Sequence, residues 1–163
     1  MSPPVAPGIA KVLAGMHERF SSVHPFFSLL DYQTTLVARG EVAAELTAHP
    51  DFTDVVDGGG GAAMHPGFFT IVLDSMFGMA TFLSLDEMEP IATINLKVDT
   101  QARVAPGARV TCQARCEGIA DDVAVVRGHV KGQDGGLIAV GAGTFMVGTR
   151  SAQVGRADEA SRI

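Results

Sequence analysis

The stretch that most constrains this chain is Met64-His65-Pro66-Gly67 and the apolar run behind it, Phe68 to Leu85, because that run carries one carboxylate, Asp74, near its middle. Its other polar side chains are Thr70, Ser75, Thr81 and Ser84. A helix so apolar around its circumference must be surrounded by protein. It would run about 27 Å, roughly the width of a small domain. Pro66 suits the first helical position, where its missing N–H has no partner to lose. The preceding Gly58-Gly59-Gly60-Gly61 lets another backbone or a ligand approach the free amides and the positive dipole end of the helix. On a helical period Thr70, Asp74, Gly78 and Thr81 form one stripe of small or polar residues, which sets Asp74 in a groove.

A membrane span would place Asp74 near the bilayer centre at a cost of about 2.5–3.5 kcal/mol. The charges that follow, Asp86, Glu87 and Glu89, are not the basic flank of such a span, so membrane insertion is excluded. A structural aspartate paired with a buried arginine stays open. A chance aspartate on an exposed face fits poorly with so apolar a run. An isolated carboxylate among small residues is best explained by chemistry.

The 163 residues make one domain with chain enough for a real core. A formal charge of −6 and the lack of an aromatic-plus-basic platform argue against nucleic acid as a partner. The charge is uneven. Residues 1–96 carry three basic and eleven acidic side chains and residues 97–163 nine and seven, so the second half is where phosphates would be held. Cys112 and Cys116 lie four apart in an expected strand, too far apart to bridge, and read as free thiols. With no signal peptide in Met1-Ser2-Pro3-Pro4 the expected location is cytoplasmic. The five histidines, at 17, 24, 49, 65 and 129, are scattered, and no metal site is expected.

In chain order, residues 1–23 read as an extension with a short amphipathic helix, Gly8 to Phe20, packed outside the main fold. An apolar link from His24 to Leu30 leads to strands Tyr32 to Ala38 and Glu41 to Thr47, joined at Arg39-Gly40. After the helix the period changes to two in Thr93 to Asp99 and Arg109 to Glu117, with Pro106-Gly107 between them. Val123 to Lys131 and Leu137 to Val147 follow, set off by Asp121-Asp122 and by Asp134-Gly135-Gly136. The last strand is apolar on both faces and contains Gly141 and Gly143, as expected where a helix covers a sheet. From Thr149 the tail, residues 149–163, is polar and expected to be disordered. The sum is an α+β domain over residues 24–148, one curved antiparallel β-sheet wrapped around one long central helix. That is the hotdog fold.

These residues resemble the hotdog acyl-CoA thioesterases of the phenylacetate-pathway (PaaI-like) type, over roughly His24 to Gly148. That family opens its helix with His-Gly-Gly and places an acidic residue nine positions after the His, where this chain has His65-Pro66-Gly67 and Asp74. Thr93 to Asp99 followed by Pro106-Gly107, and the closing Gly143-Thr144-Phe145-Met146-Val147, are similar to the family's later strands.

The resemblance implies hydrolysis of an acyl-CoA thioester by a homodimer or a dimer of dimers, with coenzyme A entering as part of the substrate and no cofactor. Asp74 would be general base or nucleophile, and helix-start amides such as Gly67's would polarise the carbonyl. Gly67 and Asp74 lie about 10 Å apart along the helix, so Asp74 would face the helix start of a partner subunit. Thr93 matches a site-lining position. The family often has Asn or Gln where this chain has Gly59, with Asp57 nearby. Pro66 stands where the family's oxyanion amide comes from and has none, leaving Gly67 or Phe68 to donate. His65 would orient the turn or touch substrate. Arg103, Arg115, Arg127, Lys131 and Arg150 are candidates for the coenzyme A phosphates. Phe68, Phe69, Phe77 and Met79 are candidates for an acyl pocket. The alternatives are a non-catalytic acyl-CoA-binding protein, the donor having been lost at Pro66, and a hydroxyacyl-thioester dehydratase.

Overall fold

The alternation of apolar residues along the second half becomes a sheet that seats one helix. The computed structural model describes residues 4–9, 32–55 and 62–148. In chain order the elements are β1 (Tyr32–Ala38), β2 (Glu41–Thr47), β3 (Thr53–Val55), β4 (Ala62–Met64), α1 (Pro66–Ser84), β5 (Ile91–Thr100), β6 (Arg109–Ala120), β7 (Val123–Gly132) and β8 (Leu137–Val147). Six strands form one sheet in the order β1-β2-β6-β7-β8-β5, every neighbouring pair antiparallel, and β3 pairs with β4 as a separate ribbon. This is the expected curved sheet around a central helix.

The inward residues alternate as the period requires. Val42, Ala44 and Leu46 of β2, Val110, Cys112 and Ala114 of β6, and Ala124, Val126 and Val130 of β7 are all buried toward α1. The hairpin turns use the chemistry read from the sequence. Asp121 and Asp122 both take positive φ, 51° and 63°, as a two-residue turn that follows the strand twist demands. Asp134 Oδ1 accepts from the Gly136 N–H at 2.9 Å and shapes the β7–β8 turn.

Three glycines set where the helix crosses. Gly128 lies opposite Gly141 in the β7–β8 register, with Gly143 two residues farther along β8. A methyl group at Gly128 would sit 2.6 Å from Phe77 Cε1 and 2.5 Å from the Gln113 carbonyl. At Gly141 and Gly143 the nearest Phe77 ring atoms would be 3.1 Å away. The Phe77 ring therefore lies in a hollow floored by bare backbone, and α1 approaches the sheet more closely than side chains would allow. At the far end Arg39 donates to the Ser84 carbonyl at 3.1 Å and pairs with Asp86 at 2.8 Å, placing a cation at the negative end of the helix.

Several expectations change or fall outside the structure. Helix α1 is buried at only nine of its 19 residues. The rest of its circumference, a stripe through Thr70, Ile71, Asp74, Ser75, Gly78, Met79 and Phe82, is exposed or only partly covered by the described residues. Thr81, expected on the Asp74 stripe, is instead buried, and its hydroxyl donates to the Phe77 carbonyl at 2.9 Å. Of the N-terminal helix expected over Gly8 to Phe20, no more than a short helical turn at residues 7–9 is described, and Ile9 is buried in the core rather than packed outside it. A 3-10 turn, Pro50–Phe52, precedes β3. The expected link at residues 24–30, the loop at 58–61 and the tail from 149 lie outside the described residues, as do Asp57, Gly59 and Arg150.

The hollow under Phe77 predicts that Gly128→Ala lowers stability by about 1–3 kcal/mol, the usual cost of overpacking. Gly118→Ala, with no atom within 4 Å of the added methyl, stays within about 0.5 kcal/mol of wild type. Urea midpoints of the two variants check the contrast.

Candidate active site

The site begins where the chain enters α1. The His65 N–H donates to the Phe52 carbonyl and the Met64 N–H to the Val104 carbonyl, both at 2.8 Å, which fixes the direction of entry. His65 is the N-cap, in extended backbone at φ −63° and ψ 132°. A cap needs a side-chain acceptor, and here the imidazole supplies it: Nδ1 accepts from the Gly67 N–H at 3.0 Å. Gly67 makes room for that ring, because an added methyl would lie 2.9 Å from Nδ1. The Phe68 N–H donates to the His65 carbonyl at 2.9 Å. The first three helical positions are therefore a proline without an N–H and two amides already in use. An imidazole whose Nδ1 accepts carries its proton on Nε2, so the exposed His65 ring offers an N–H donor at the helix start.

Two turns along the helix, Asp74 is half-buried on the partly open stripe. Its Oδ1 accepts from the Thr93 hydroxyl at 3.0 Å, and its Oδ2 has no hydrogen-bond partner among the described residues. Thr93 stands on β5, an edge strand of ten residues, just before a bulge at Ile94. The bulge leaves Ile94 52% exposed, and Ile71 on the neighbouring helix stripe is 40% exposed. Ile71 and Ile94 were not singled out in the sequence. A stripe repeating as adjacent pairs (70/71, 74/75, 78/79) would have found Ile71.

The structure therefore brings Asp74 and Thr93 together, and separately gathers His65, Pro66 and Gly67 about 10 Å away along the helix. Phe68 is in the core, against Phe52 and Phe69 with ring centroids 5.5 and 5.4 Å apart, and does not line the open stripe. Phe69 and Phe77 are also buried in the core, whereas Met79 lies on the stripe. Arg103 is exposed beside Val104, on the helix-start side. Arg115, Arg127 and Lys131 project from the face of the sheet opposite α1. Burial pushes the Cys112 thiol well above its ordinary range, which makes it inert as a nucleophile. No cluster of three or more His, Cys, Asp or Glu side chains suited to a metal occurs among the described residues.

No protein-family model matches the sequence, and a search of curated proteins finds no relative. Solved structures do match. A variant of the phenylacetic acid degradation protein PaaI from Thermus thermophilus aligns with a TM-score of 0.64 over 75% of this chain and 97% of that one, at 24% identity. The conserved protein PA5202 from Pseudomonas aeruginosa aligns at 0.65 over 79% and 98%, with 25% identity. A hypothetical thioesterase from Streptococcus pneumoniae, solved with coenzyme A, aligns at 0.66 over 78% and 95%, with 14% identity. The chain has the hotdog fold of the PaaI-like thioesterases. In this hotdog domain the helix entrance and the Asp74 stripe are both built on α1, whose bed on the sheet makes them rigid.

The cap geometry predicts that His65→Ala destabilises the domain by about 0.5–2 kcal/mol, whereas His65→Asn, which restores a capping acceptor, stays close to wild type. Thermal melts of the two variants decide this.

Proposed function

We propose that this hotdog domain is an acyl-CoA thioesterase whose carboxylate is Asp74. The observation that carries the reading is the single carboxylate of an otherwise apolar core helix, half-buried on its open side and held by Thr93 at 3.0 Å. Acting as base, Asp74 takes a proton from water as that water adds to the thioester carbonyl. The tetrahedral intermediate then expels the coenzyme A thiolate, which recovers the proton. Acting as nucleophile, Asp74 would form a mixed anhydride that water opens in a second step.

The carbonyl oxygen needs a donor. With Pro66 lacking an N–H and Gly67 and Phe68 already bonded, that donor in our reading is the His65 Nε2–H. It is too far from Asp74 along one helix to serve the same carbonyl, so each site takes Asp74 and Thr93 from one chain and His65 from another. Two features support a homodimer. The exposed β5 edge offers a full strand for pairing, and the open stripe of α1 beside it needs cover. Arg103, beside the helix start, is the cation best placed for a coenzyme A phosphate. The two cysteines of the sequence are both free, which suits a cytoplasmic enzyme. The engaged amides also favour a second reading, an acyl-CoA-binding protein without turnover.

Thiol release from aryl, short and medium acyl-CoAs separates the two readings. Wild type turns over, and Asp74→Asn falls by about a hundredfold or more. A binder would instead gain melting temperature with acyl-CoA and release no thiol.

The shared site predicts complementation. Asp74→Asn and His65→Ala chains, each inactive alone, recover about a quarter of wild-type turnover when co-expressed, because a mixed two-fold dimer keeps one intact site. Pro66→Gly returns an N–H to the first helical position. In the His65→Ala background it restores turnover about tenfold or more, although it does nothing for the cap.

A further inference from the structure

Three of the cations that the sequence scatters over the second half, Arg115, Arg127 and Lys131, are collected by the sheet onto its outer face, away from α1 and Asp74. In the β6–β7 register Arg115 lies directly opposite Arg127, Gln113 opposite His129 and Thr111 opposite Lys131. Like charges directly opposite one another weaken a sheet. Arg115 is partly offset by Glu41, 4.0 Å away, but among the described residues the Arg127 and Lys131 side chains have no ion-pair or hydrogen-bond partner. Arg109, at the rim, is engaged with Glu45 at 3.2 Å. Beside the Arg115–Arg127 pair, across β6 and β7, lies an open depression of about 450 Å³, lined by Thr111, Gln113, His129, Lys131 and the Glu45–Arg109 ion pair, with Arg127 one same-face position beyond His129 at its edge. That is room for a small anionic molecule.

We propose that this outer face of β6 and β7 is a binding site for a phosphate ester, with Lys131 in the depression and Arg127 at its edge as the charged contacts and Thr111, Gln113 and His129 as hydrogen-bonding partners. An arginine fork and a lysine suit phosphate oxygens, and hydroxyl, amide and imidazole groups complete the shell. The face selects an anion over a neutral ligand because Lys131 and Arg127 have no carboxylate partner among the described residues. His129 senses the same field: desolvation and the Lys131 charge both hold its pKa below the ordinary histidine value. The charged groups around it are Arg127 and Lys131 on β7, Arg115 and Arg109 on β6, Glu45 on β2, paired with Arg109, and, across Val140, Asp99 on β5, itself paired with Lys97 at 2.9 Å. A phosphate in the depression would shift the His129 titration upward. The site stands apart from the Asp74 reading, since it lies on the other side of the sheet.

The test uses the full chain, with inorganic phosphate and adenosine 3′,5′-bisphosphate as probes at ionic strength matched with sodium chloride. Binding to wild type, to Asp74→Asn and to the double variant Arg127→Ser/Lys131→Ser is measured by calorimetry, and the His129 imidazole is followed by NMR. The proposal expects wild type and Asp74→Asn to bind alike, the double variant to bind at least about tenfold more weakly, and the His129 midpoint to rise with ligand in wild type and Asp74→Asn but not in the double variant. If the bisphosphate competes with acyl-CoA, the phosphate is the nucleotide end of the thioester held by a neighbouring copy. If it binds without competing, it is a separate phosphate ester; both results uphold the site. Equal affinity in the double variant overturns the proposal, as does binding of neither probe at about 10 mM. A change of oligomeric state in the double variant with unchanged affinity also overturns it, by assigning the face to contact between copies.

Discussion

The fold depends on the seating of Phe77 over Gly128, Gly141 and Gly143. A helix over a sheet is normally held off by the side chains of both layers. Here bare backbone lets one aromatic ring sink into the sheet, and the rest of α1 follows it down. That close approach brings β5 near enough for Thr93 to reach Asp74 at 3.0 Å. The same rigidity fixes the two halves of the candidate site. A helix bedded at its centre and tied at both ends, by His65 at the entrance and Arg39 at the exit, cannot adjust its register to bring His65 and Asp74 closer. In our reading it is the second chain that solves this geometry.

The helix entrance shows how one substitution redistributes chemistry among its neighbours. Pro66 stabilises the first turn through its preset φ but removes the amide that an anionic intermediate would use. The imidazole of His65 then caps the next free N–H. This is a structural task, and it leaves the opposite ring nitrogen as a donor facing outward. Gly67 serves the arrangement by being small: it admits the ring. In our reading capping and carbonyl polarisation thus fall to one side chain, which is why their separation needs variants that restore one without the other.

Much of this was legible in the residues. The β1, β2 and β8 boundaries, Pro66 at the first helical position, and the Asp-rich and glycine turns follow from local chemistry that tertiary contacts only confirm. What could not be read was cover. Composition shows that α1 is apolar nearly all round, but not that about half of it would be left partly open by the described residues. The periodic stripe that correctly held Asp74 therefore misplaced Thr81, which satisfies its hydroxyl on the helix backbone and goes inside. Phe68, expected at a pocket, lies in the core off the open stripe for a related reason. One residue of helical rotation separates the core face from the open face, and apolar side chains carry no mark in the sequence of which face they will join.

The cations make the converse point. In sequence Arg115, Arg127 and Lys131 are separate positions in a mildly basic half, each an ordinary surface charge. Antiparallel pairing converts spacing along two strands into adjacency across them, so Arg115 and Arg127, twelve residues apart, become direct neighbours. It also assigns them a face, and that face is the one away from Asp74. A charge count can say that a half-chain favours anions, but only the register says that its cations divide, with Arg103 staying beside the helix start and Arg115, Arg127 and Lys131 moving to the far side of the sheet. Any account of how this domain handles an anionic ligand has to begin from that division, because one phosphate cannot meet both groups on a single chain.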